Sequence, residues 1–251
     1  MPAPRFHLDR DLAPGARVEL PPAVAHHAST VLRLREGDAL VLFNGQGGEF
    51  RARLCADPGG GARRLQAEVL QFDPVEREAS MRITLIQALV TSDKIDWIIE
   101  KAVEIGVARV VVTASARSTA RLDEARRARR LMHWTDLAIA ACCQCGRNRL
   151  MTVQATASLA QALALTDAAG AKWILEPGAA QGPSTPGPGV TQAALAIGPE
   201  GGFDPAELRQ GAQAGFVPLR LGPRTLRTET AGLAAVSAIL ALNGEYSSRR
   251  D

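Results

Sequence analysis

A glycine-rich segment in the last quarter of the chain has the composition of a ligand-binding loop. Residues 195–207 read LAIGPEGGFDPAE, an apolar strand followed by a tight turn and the start of a helix. Asp204 can cap that helix, Pro205 suits its first turn, and Glu207 completes a capping box. Glycines in the turn let backbone amides approach a ligand closely. The segment is either such a loop or an ordinary connection, since many strand–helix turns also need glycine.

A second, charged loop follows the next predicted strand. Residues 219–231 read LRLGPRTLRTETA, so the strand ends at Gly222 and leads to Arg224, Arg227 and Glu229 before another helix begins. Charged side chains at the carboxyl edge of a parallel sheet lie where α/β proteins usually bind ligands. The alternative is a solvated surface loop.

The familiar nucleotide-binding motifs do not fit these loops. No GxGxxG sequence follows a predicted strand, and no P-loop pattern ending in Lys-Ser or Lys-Thr occurs. Gly45-x-Gly47-Gly48 joins two alternating strands with no helix after it, which favours a hairpin turn over a phosphate loop. The sequence therefore disfavours a dinucleotide site, an ATPase and the usual Rossmann-type methyltransferase.

Strands alternate with helices in the part of the chain that carries both loops. Residues 83–90, ITLIQALV, predict a buried strand, and the next helix can end at Gly106. The apolar face of that helix consists of Ile95, Ile98, Ile99, Ala102 and Val103. A long helix is predicted over residues 123–145, and residues 178–189 predict a surface loop. The alternation predicts an α/β fold with a mostly parallel sheet covered on both faces.

The amino-terminal part has a different pattern. The short runs LVLFN, EFRARL and LQAEVLQF predict a small β domain over residues 1–72. Residues 73–79 are polar and include Pro74, which predicts a linker before a second domain over residues 80–251. With 251 residues and 46% apolar content, the chain is long enough for two cores.

The charge of the chain suggests a nucleic-acid partner. The formal net charge is +3, and Lys94, Lys101 and Lys172 are its only lysines, so arginine carries most of the positive charge. Arginine suits phosphate contacts and base stacking because its planar group donates two hydrogen bonds at once. A coding bias toward arginine explains the same composition.

Cysteines and apolar runs indicate where the protein resides. Cys55, Cys142, Cys143 and Cys145 offer no paired disulfide framework, and the last three fall in a helical stretch with no second ligand cluster. We therefore expect no metal site and a reducing compartment. No 18 apolar residues run uninterrupted, so we expect no membrane association and a cytoplasmic protein.

The two loops together resemble a family signature. IGPEGGF at residues 197–203 and LGPRTLRTETA at residues 221–231 resemble the paired cofactor loops of the bacterial 16S rRNA uridine N3-methyltransferases of the SPOUT superfamily. Further matching elements are RFH at Arg5, HHASTVLRLREGD at His26, EKAVEIGV at Glu100, RS at Arg117 and QCGR at Gln144. One departure is Cys142-Cys143, where the family commonly has an acidic residue.

The resemblance implies a SPOUT fold, a parallel sheet with a carboxyl-terminal trefoil knot, preceded by a small PUA-like β-barrel domain. It implies transfer of a methyl group from S-adenosylmethionine to N3 of one uridine of 16S rRNA, usually uridine 1498. The implied cofactor contacts are Leu175, Glu176, Ile197, Gly198, Pro199, Glu200, Gly201, Leu219, Leu221, Gly222, Arg224 and Leu226. The implied RNA contacts are Arg5, His26, Arg117 and Arg147.

The uridine N3 atom carries a proton, so the reaction needs a base or a stabilising positive charge. Glu229 is a candidate base and Arg227 or Arg224 a candidate for the charge, although Glu229 equally suits a carboxylate that stabilises a helix start. The final helix, residues 231–242, is apolar almost all round, which predicts burial in a homodimer or within one chain.

Two alternatives to this function stay open. One is a non-catalytic RNA-binding or ribosome-assembly factor, which would bind RNA without the cofactor. The other is a SPOUT methyltransferase that acts on another RNA. The partner expected from the resemblance is 16S rRNA within the small ribosomal subunit.

Overall fold

The computed structural model describes residues 3–55, 65–118 and 123–247. Contacts between Cα atoms divide the chain into two compact units. The β unit consists of Met1–Glu78 with Cys142–Leu150, and the α/β unit consists of Ala79–Ala141 with Met151–Asp251. The sequence-based boundary at residues 73–79 stays a prediction, and the return of Cys142–Leu150 to the β unit was not foreseen.

The β unit is a five-stranded sheet with one short helical segment. Its strands are β1 (Arg5–His7), β2 (Arg17–Glu19), β3 (Ala39–Phe43), β4 (Glu49–Cys55) and β5 (Gln66–Asp73). Their order is β1-β3-β4-β5-β2, and every neighbouring pair is antiparallel except β1 and β3. Helix α1 (Pro22–His26) continues into a single π-helical turn, His27–Val31.

Alternation along the strands builds the core of the β unit. In β4, Phe50, Ala52 and Leu54 are buried, whereas Arg51 and Arg53 between them are exposed. The predicted hairpin at residues 45–48 is confirmed, because it joins the antiparallel strands β3 and β4.

The α/β unit contains a six-stranded sheet in which every neighbouring pair is parallel. Its strands are β6 (Arg82–Ala88), β7 (Arg109–Thr113), β8 (Thr152–Thr156), β9 (Ala171–Leu175), β10 (Gln192–Ile197) and β11 (Val217–Leu219). Their order is β11-β9-β10-β6-β7-β8. The helices are α2 (Ser92–Glu104), α3 (Glu124–Cys145), α4 (Leu159–Ala164), α5 (Pro205–Gln213) and α6 (Thr228–Leu242).

Helices cover both faces of this sheet, as the alternation of strands and helices predicted. Ile86 of β6 and Ala194 of β10 share one core cluster with Leu159 of α4. Successive residues of a strand point to opposite faces, so Leu85 belongs to the other face. There Gly232 of α6 approaches closely, because a Cβ atom at this glycine would lie 3.3 Å from Leu85 Cδ1.

Two helices test the sequence pattern directly. The buried residues of α2 are the five predicted for its apolar face, and Gly106 follows its end with a φ of +90°. In α6, eight of the fifteen residues are buried within this one chain, so the chain itself covers most of that apolar helix. Residues 178–189 contain no helix or strand, which confirms the predicted loop.

Candidate active site

A cavity of about 430 Å³ lies at the carboxyl ends of β9, β10 and β11. The segments that follow these parallel strands form its wall, because parallel strands end at the same edge of a sheet. Eleven of the predicted cofactor contacts line it: Leu175, Glu176, Ile197, Gly198, Pro199, Glu200, Leu219, Leu221, Gly222, Arg224 and Leu226. Gly201, the twelfth, is not part of the wall. The sequence thus located the walls, and their role as cofactor contacts stays a prediction.

The turn at residues 198–202 is held tightly. A Cβ atom at Gly198 would lie only 2.9 Å from the backbone nitrogen of Phe203, so a larger residue does not fit there. The Thr228 hydroxyl donates a 2.7 Å hydrogen bond to the Gly198 carbonyl and accepts a 3.0 Å bond from Gln87 Nε2. Gln87 and Thr228 are both buried. Sequence reasoning missed this pair because its members lie 141 residues apart.

The start of α5 confirms the predicted capping box and adds a contact. Asp204 accepts hydrogen bonds from the Ala206 and Glu207 amides, and Glu207 accepts one from the Asp204 amide. The buried Glu207 carboxylate also accepts bonds from the Ser115 hydroxyl and the Ala116 amide, at 3.1 and 2.9 Å. One carboxylate therefore joins the loop after β7 to the helix that follows the glycine-rich turn.

Arg117, a predicted RNA contact, lies beside the same turn. Its side chain is exposed, and its Nη1 atom donates a 2.8 Å hydrogen bond to the Gly201 carbonyl. The structure therefore brings this arginine to the glycine-rich loop, which the sequence did not suggest. Its contact with RNA stays a prediction.

Three charged residues meet at one side of the cavity. The Lys94 Nζ atom, near the start of α2, lies 2.7 Å from Glu200 Oε1 and 3.5 Å from Glu229 Oε2. The hydrogen bond with Glu200, assisted by Glu229, raises the pKa of Lys94, and the same bond lowers the pKa of Glu200. Lys94 lines the cavity but was missed by sequence reasoning. The sequence feature that could have pointed to Lys94 is its position in the segment that follows the carboxyl end of β6.

The predicted catalytic residues occupy different surroundings. Arg224 and Arg227 line the cavity with exposed side chains. Glu229 lies in the first turn of α6 with its side chain only 17% exposed, and its Oε2 atom is buried without a hydrogen bond. The structure brings all three to one edge of the sheet. Their catalytic roles stay predictions.

The other predicted RNA contacts belong to the β unit. Arg5 donates to Glu49 and Asn148, and its side chain is only 13% exposed. Arg147 is buried and forms an ion pair with Glu78. His26 is exposed, and its Nδ1 atom lies 3.3 Å from the Thr30 hydroxyl. Arg5 and Arg147 therefore have internal partners, whereas His26 faces solvent.

The Glu49 carboxylate forms ion pairs with two arginines, Arg5 and Arg77. Burial opposes its ionisation, but hydrogen bonds from Arg77 and Arg5 outweigh that effect and lower the pKa of Glu49. Arg77 also donates to the Gly146 carbonyl, in the segment Cys142–Leu150 that returns to the β unit. The cluster therefore holds that segment in place.

The described residues meet neither the requirements of a metal site nor those of a membrane-spanning helix. Within residues 3–55, 65–118 and 123–247, no group of three or more His, Cys, Asp or Glu side chains is placed to hold a metal ion. Cys55, Cys143 and Cys145 are free thiols, and the Cys142 thiol donates to the Arg149 carbonyl. Among the same residues, no helix is both long and apolar enough to cross a membrane.

Two family models match the chain. The model for an RNA methyltransferase domain matches residues 77–240, and that for an RNA methyltransferase PUA domain matches residues 20–56. The chain is 33% identical to the ribosomal RNA small subunit methyltransferase E of Mycobacterium bovis over an alignment of 262 positions, which covers 98% of this chain and 94% of the relative. The enzyme of the same name from Bacillus subtilis is 30% identical over 222 residues, covering 85% and 86%.

Solved structures agree with these relatives. The ribosomal RNA small subunit methyltransferase E of Neisseria gonorrhoeae, bound to S-adenosylmethionine, has a TM-score of 0.84 and 33% identity, covering 96% of this chain and 98% of that chain. A methyltransferase from Legionella pneumophila in complex with the same cofactor has a TM-score of 0.88 and 32% identity, with the same coverage. The predicted SPOUT fold with an amino-terminal PUA-like domain is confirmed. The chain therefore belongs to the ribosomal RNA small subunit methyltransferase E family of RNA methyltransferases.

Proposed function

We propose that this protein transfers a methyl group from S-adenosylmethionine to N3 of a uridine in the 16S rRNA of the small ribosomal subunit. The observation that carries the proposal is the cavity, whose wall includes the three segments expected to hold the cofactor. Family membership supports the reaction class, and the relatives named for small subunit rRNA support the substrate.

The residues of the cavity suit the cofactor. Its volume falls in the range of roughly 300–1,000 Å³ that is typical of small-molecule sites. Leu175, Ile197 and Leu221 offer apolar wall for the adenine ring, and Glu176 and Arg220 offer partners for the ammonium and carboxylate groups. Bound there, S-adenosylmethionine supplies a methyl group on a positively charged sulfur. The protein's part is to orient that group toward the base, which lowers the entropic barrier.

The hydrogen bonds that join Gln87, Thr228 and Gly198 help the chain to orient the cofactor. They fix the Gly198 carbonyl to the first turn of α6, so that the turn at residues 198–202 and the loop before α6 keep one relative position. Groups fixed before binding lose less entropy on binding. We infer that this buried contact keeps the cofactor loop in its binding conformation.

RNA capture is proposed for exposed groups near both loops and on the β unit. Arg117, Arg224 and Arg227 present cationic side chains around the cavity, where phosphate groups of RNA can bind. His26 is the exposed candidate of the β unit, and Arg5 and Arg147, which also have internal partners, stay predicted RNA contacts. A substrate in the small ribosomal subunit implies a cytoplasmic protein.

A homodimer is proposed from the family resemblance. On α6, Ala234, Ser237, Ala238 and Ala241 are at least partly exposed and follow the spacing of one helix face. Small side chains on such a face let a second helix approach closely. Size-exclusion chromatography with light scattering tests the proposal, which a monomer at micromolar concentration contradicts.

The test of the function is nucleoside mapping by mass spectrometry of 16S rRNA from a strain that lacks this gene. We expect one N3-methyluridine to be missing and to return when the RNA or the small subunit is incubated with purified protein and S-adenosylmethionine. An unchanged nucleoside and no methyl transfer in vitro would refute the proposal.

Further measurements distinguish the two alternatives. A non-catalytic RNA-binding or assembly factor binds rRNA in a filter assay without binding S-adenosylmethionine in calorimetry. A methyltransferase for another RNA leaves 16S rRNA unmodified but transfers label to tRNA or to a ribose hydroxyl. Each outcome therefore identifies one of the two alternative functions.

A further inference from the structure

Lys94 presents a fixed positive charge to the cavity. Its side chain is 22% exposed and lies on the cavity wall, and two carboxylates from different segments lie within 3.5 Å of its ammonium group. Glu200 belongs to the glycine-rich turn and Glu229 to the first turn of α6. A cation held in this way needs little rearrangement when a ligand binds.

Glu229 takes a supporting position in this arrangement. Its Oε2 atom is buried, makes no hydrogen bond, and lies 3.5 Å from the Lys94 nitrogen, which is longer than a good hydrogen bond. Glu229 is not part of the cavity wall, whereas Lys94 is. The group that meets a ligand is therefore the ammonium, and the carboxylate beneath it keeps the ammonium in place.

The surroundings of Lys94 favour its protonated form. A lysine is protonated at neutral pH, and the Glu200 hydrogen bond, assisted by Glu229, raises the pKa of this ammonium further. A protonated lysine donates hydrogen bonds but accepts no proton. Lys94 therefore suits the stabilisation of negative charge and does not suit the role of a base.

Negative charge is what the proposed reaction creates on the base. The N3 atom of uracil lies between two carbonyl groups, and loss of its proton spreads the charge over N3 and both carbonyl oxygens. A cation next to either oxygen stabilises that anion and makes the proton easier to remove.

Resting on the proposed function, we propose that the Lys94 ammonium binds a carbonyl oxygen of the target uracil and stabilises its deprotonated form. The N3–H bond breaks, the proton passes to water or hydroxide, and the electron pair stays on the ring. N3 then accepts the methyl group. Glu200 and Glu229 are positioning residues that act through Lys94.

Lys94 fits this role better than the two arginines of the cavity wall. Arg224 and Arg227 are exposed, and neither has an ion pair with a described residue. Exposed arginines are solvated, so their charge is screened and they must be ordered when RNA binds. Lys94, whose side chain is 22% exposed, already has Glu200 and Glu229 as partners. The arginines suit phosphate capture instead.

The test compares two lysine variants of the same helix on two RNAs. Lys94→Met removes the cavity charge, and Lys101→Met is the matched control, because Lys101 of α2 also pairs with two glutamates but lies outside the cavity wall. The RNAs are 16S transcripts made with uridine or with 5-fluorouridine, free and reconstituted into small subunits. Fluorine makes the N3 proton more acidic, so the fluorinated base depends less on a stabilising cation.

We expect Lys94→Met to lower kcat on uridine RNA about 100-fold, as loss of one charge-stabilising donor does. On fluorinated RNA the loss of kcat in Lys94→Met should be about tenfold smaller. The reason is that proton removal limits the rate of the variant more than that of the wild type, and fluorine makes that step easier. Lys94→Arg should retain more activity than Lys94→Met, and Lys101→Met should stay within about twofold of wild type. The dissociation constant for S-adenosylmethionine, measured by calorimetry, should change less than about threefold in every variant.

Several results overturn the inference. They are an unchanged kcat in Lys94→Met, an equal loss on both RNAs, or a loss of cofactor affinity as large as the loss of kcat, which would assign Lys94 to the cofactor. If Lys94→Met does not fold, judged by its thermal transition, Lys94→Gln takes its place under the same criteria. An inactive wild-type protein in these assays refutes the proposed function itself, so the two failures are distinguishable.

Discussion

Replacing Thr228 by valine removes one hydroxyl and keeps the shape of the side chain. This hydroxyl is buried, donates to the Gly198 carbonyl at 2.7 Å and accepts from Gln87 Nε2 at 3.0 Å. The variant therefore leaves the carbonyl without this donor and Gln87 with one partner fewer. The Gln87 amide nitrogen keeps its 3.1 Å bond to the Ala88 carbonyl.

The magnitude follows from these two groups. A buried polar group without a partner costs about 1–3 kcal/mol. Because Gln87 keeps one bond, we expect most of the loss to come from the Gly198 carbonyl, for a total of about 2–3 kcal/mol. Each kcal/mol lowers the melting temperature of a domain of this size by roughly 2–4 °C, so the decrease should be about 4–12 °C.

Tryptophan fluorescence is the appropriate assay. Trp97, Trp134 and Trp173 all belong to the α/β unit, so their emission follows the unfolding of that unit. Calorimetry with S-adenosylmethionine should show affinity at least about tenfold weaker, since about 1.4 kcal/mol of preorganisation is enough for that change. Thr228→Ser keeps the hydroxyl and should restore most of both quantities.

The control is Thr230→Val, an exposed threonine in the same turn of α6, which should change stability by less than about 0.5 kcal/mol. An unchanged melting temperature in Thr228→Val would contradict this prediction, as would a Thr228→Ser variant as destabilised as the valine variant. Lower stability with unchanged cofactor affinity would contradict the inferred effect on the loop.

Three further predictions concern other contacts. Gly198→Ala places a Cβ atom 2.9 Å from a backbone nitrogen and should weaken cofactor binding about tenfold or more in calorimetry, whereas Gly182→Ala, with no atom nearer than 3.9 Å, should not. Glu207→Gln replaces a buried carboxylate that accepts three backbone and side-chain bonds, and should cost about 1–3 kcal/mol in urea unfolding. Because the pKa of Glu49 is lowered in the folded protein, its stabilising effect is present above its usual value of 4.5 and is lost as pH falls below it. Glu49→Gln should therefore lose less stability than wild type as the pH falls through and below about 4.5, and an equal loss over that acid range would contradict this.

Local features of the protein could be read from the sequence because short-range geometry decides them. The apolar spacing of α2 required one buried face, and Asp204, Pro205 and Glu207 required a helix start at that place. The strand–helix alternation implied that the loops after β10 and β11 lie at one edge of a sheet. That edge is where the cavity is found.

The roles of individual residues were harder to predict from the sequence, because they depend on contacts with distant parts of the chain. Arg5 donates to Asn148, 143 residues away, and no local pattern predicts that contact, whereas its predicted contact with RNA stays a prediction. Similarly, Glu229 was a candidate base because only its charge and loop position were visible. Its burial beneath Lys94 became apparent from the packing of α2 against α6.

The sequence by itself determined which part of the chain is a β domain and which alternates strands with helices. It also determined the helix starts and the loops that line the cavity. Each of these depends on side-chain periodicity over a few turns or on the backbone geometry of one turn. Only the tertiary structure decided the strand order, the return of Cys142–Leu150 to the β unit and the meeting of Lys94 with Glu200 and Glu229. The physical reason is that a long-range contact depends on which elements are neighbours in the sheet, and many such arrangements bury the same apolar faces equally well.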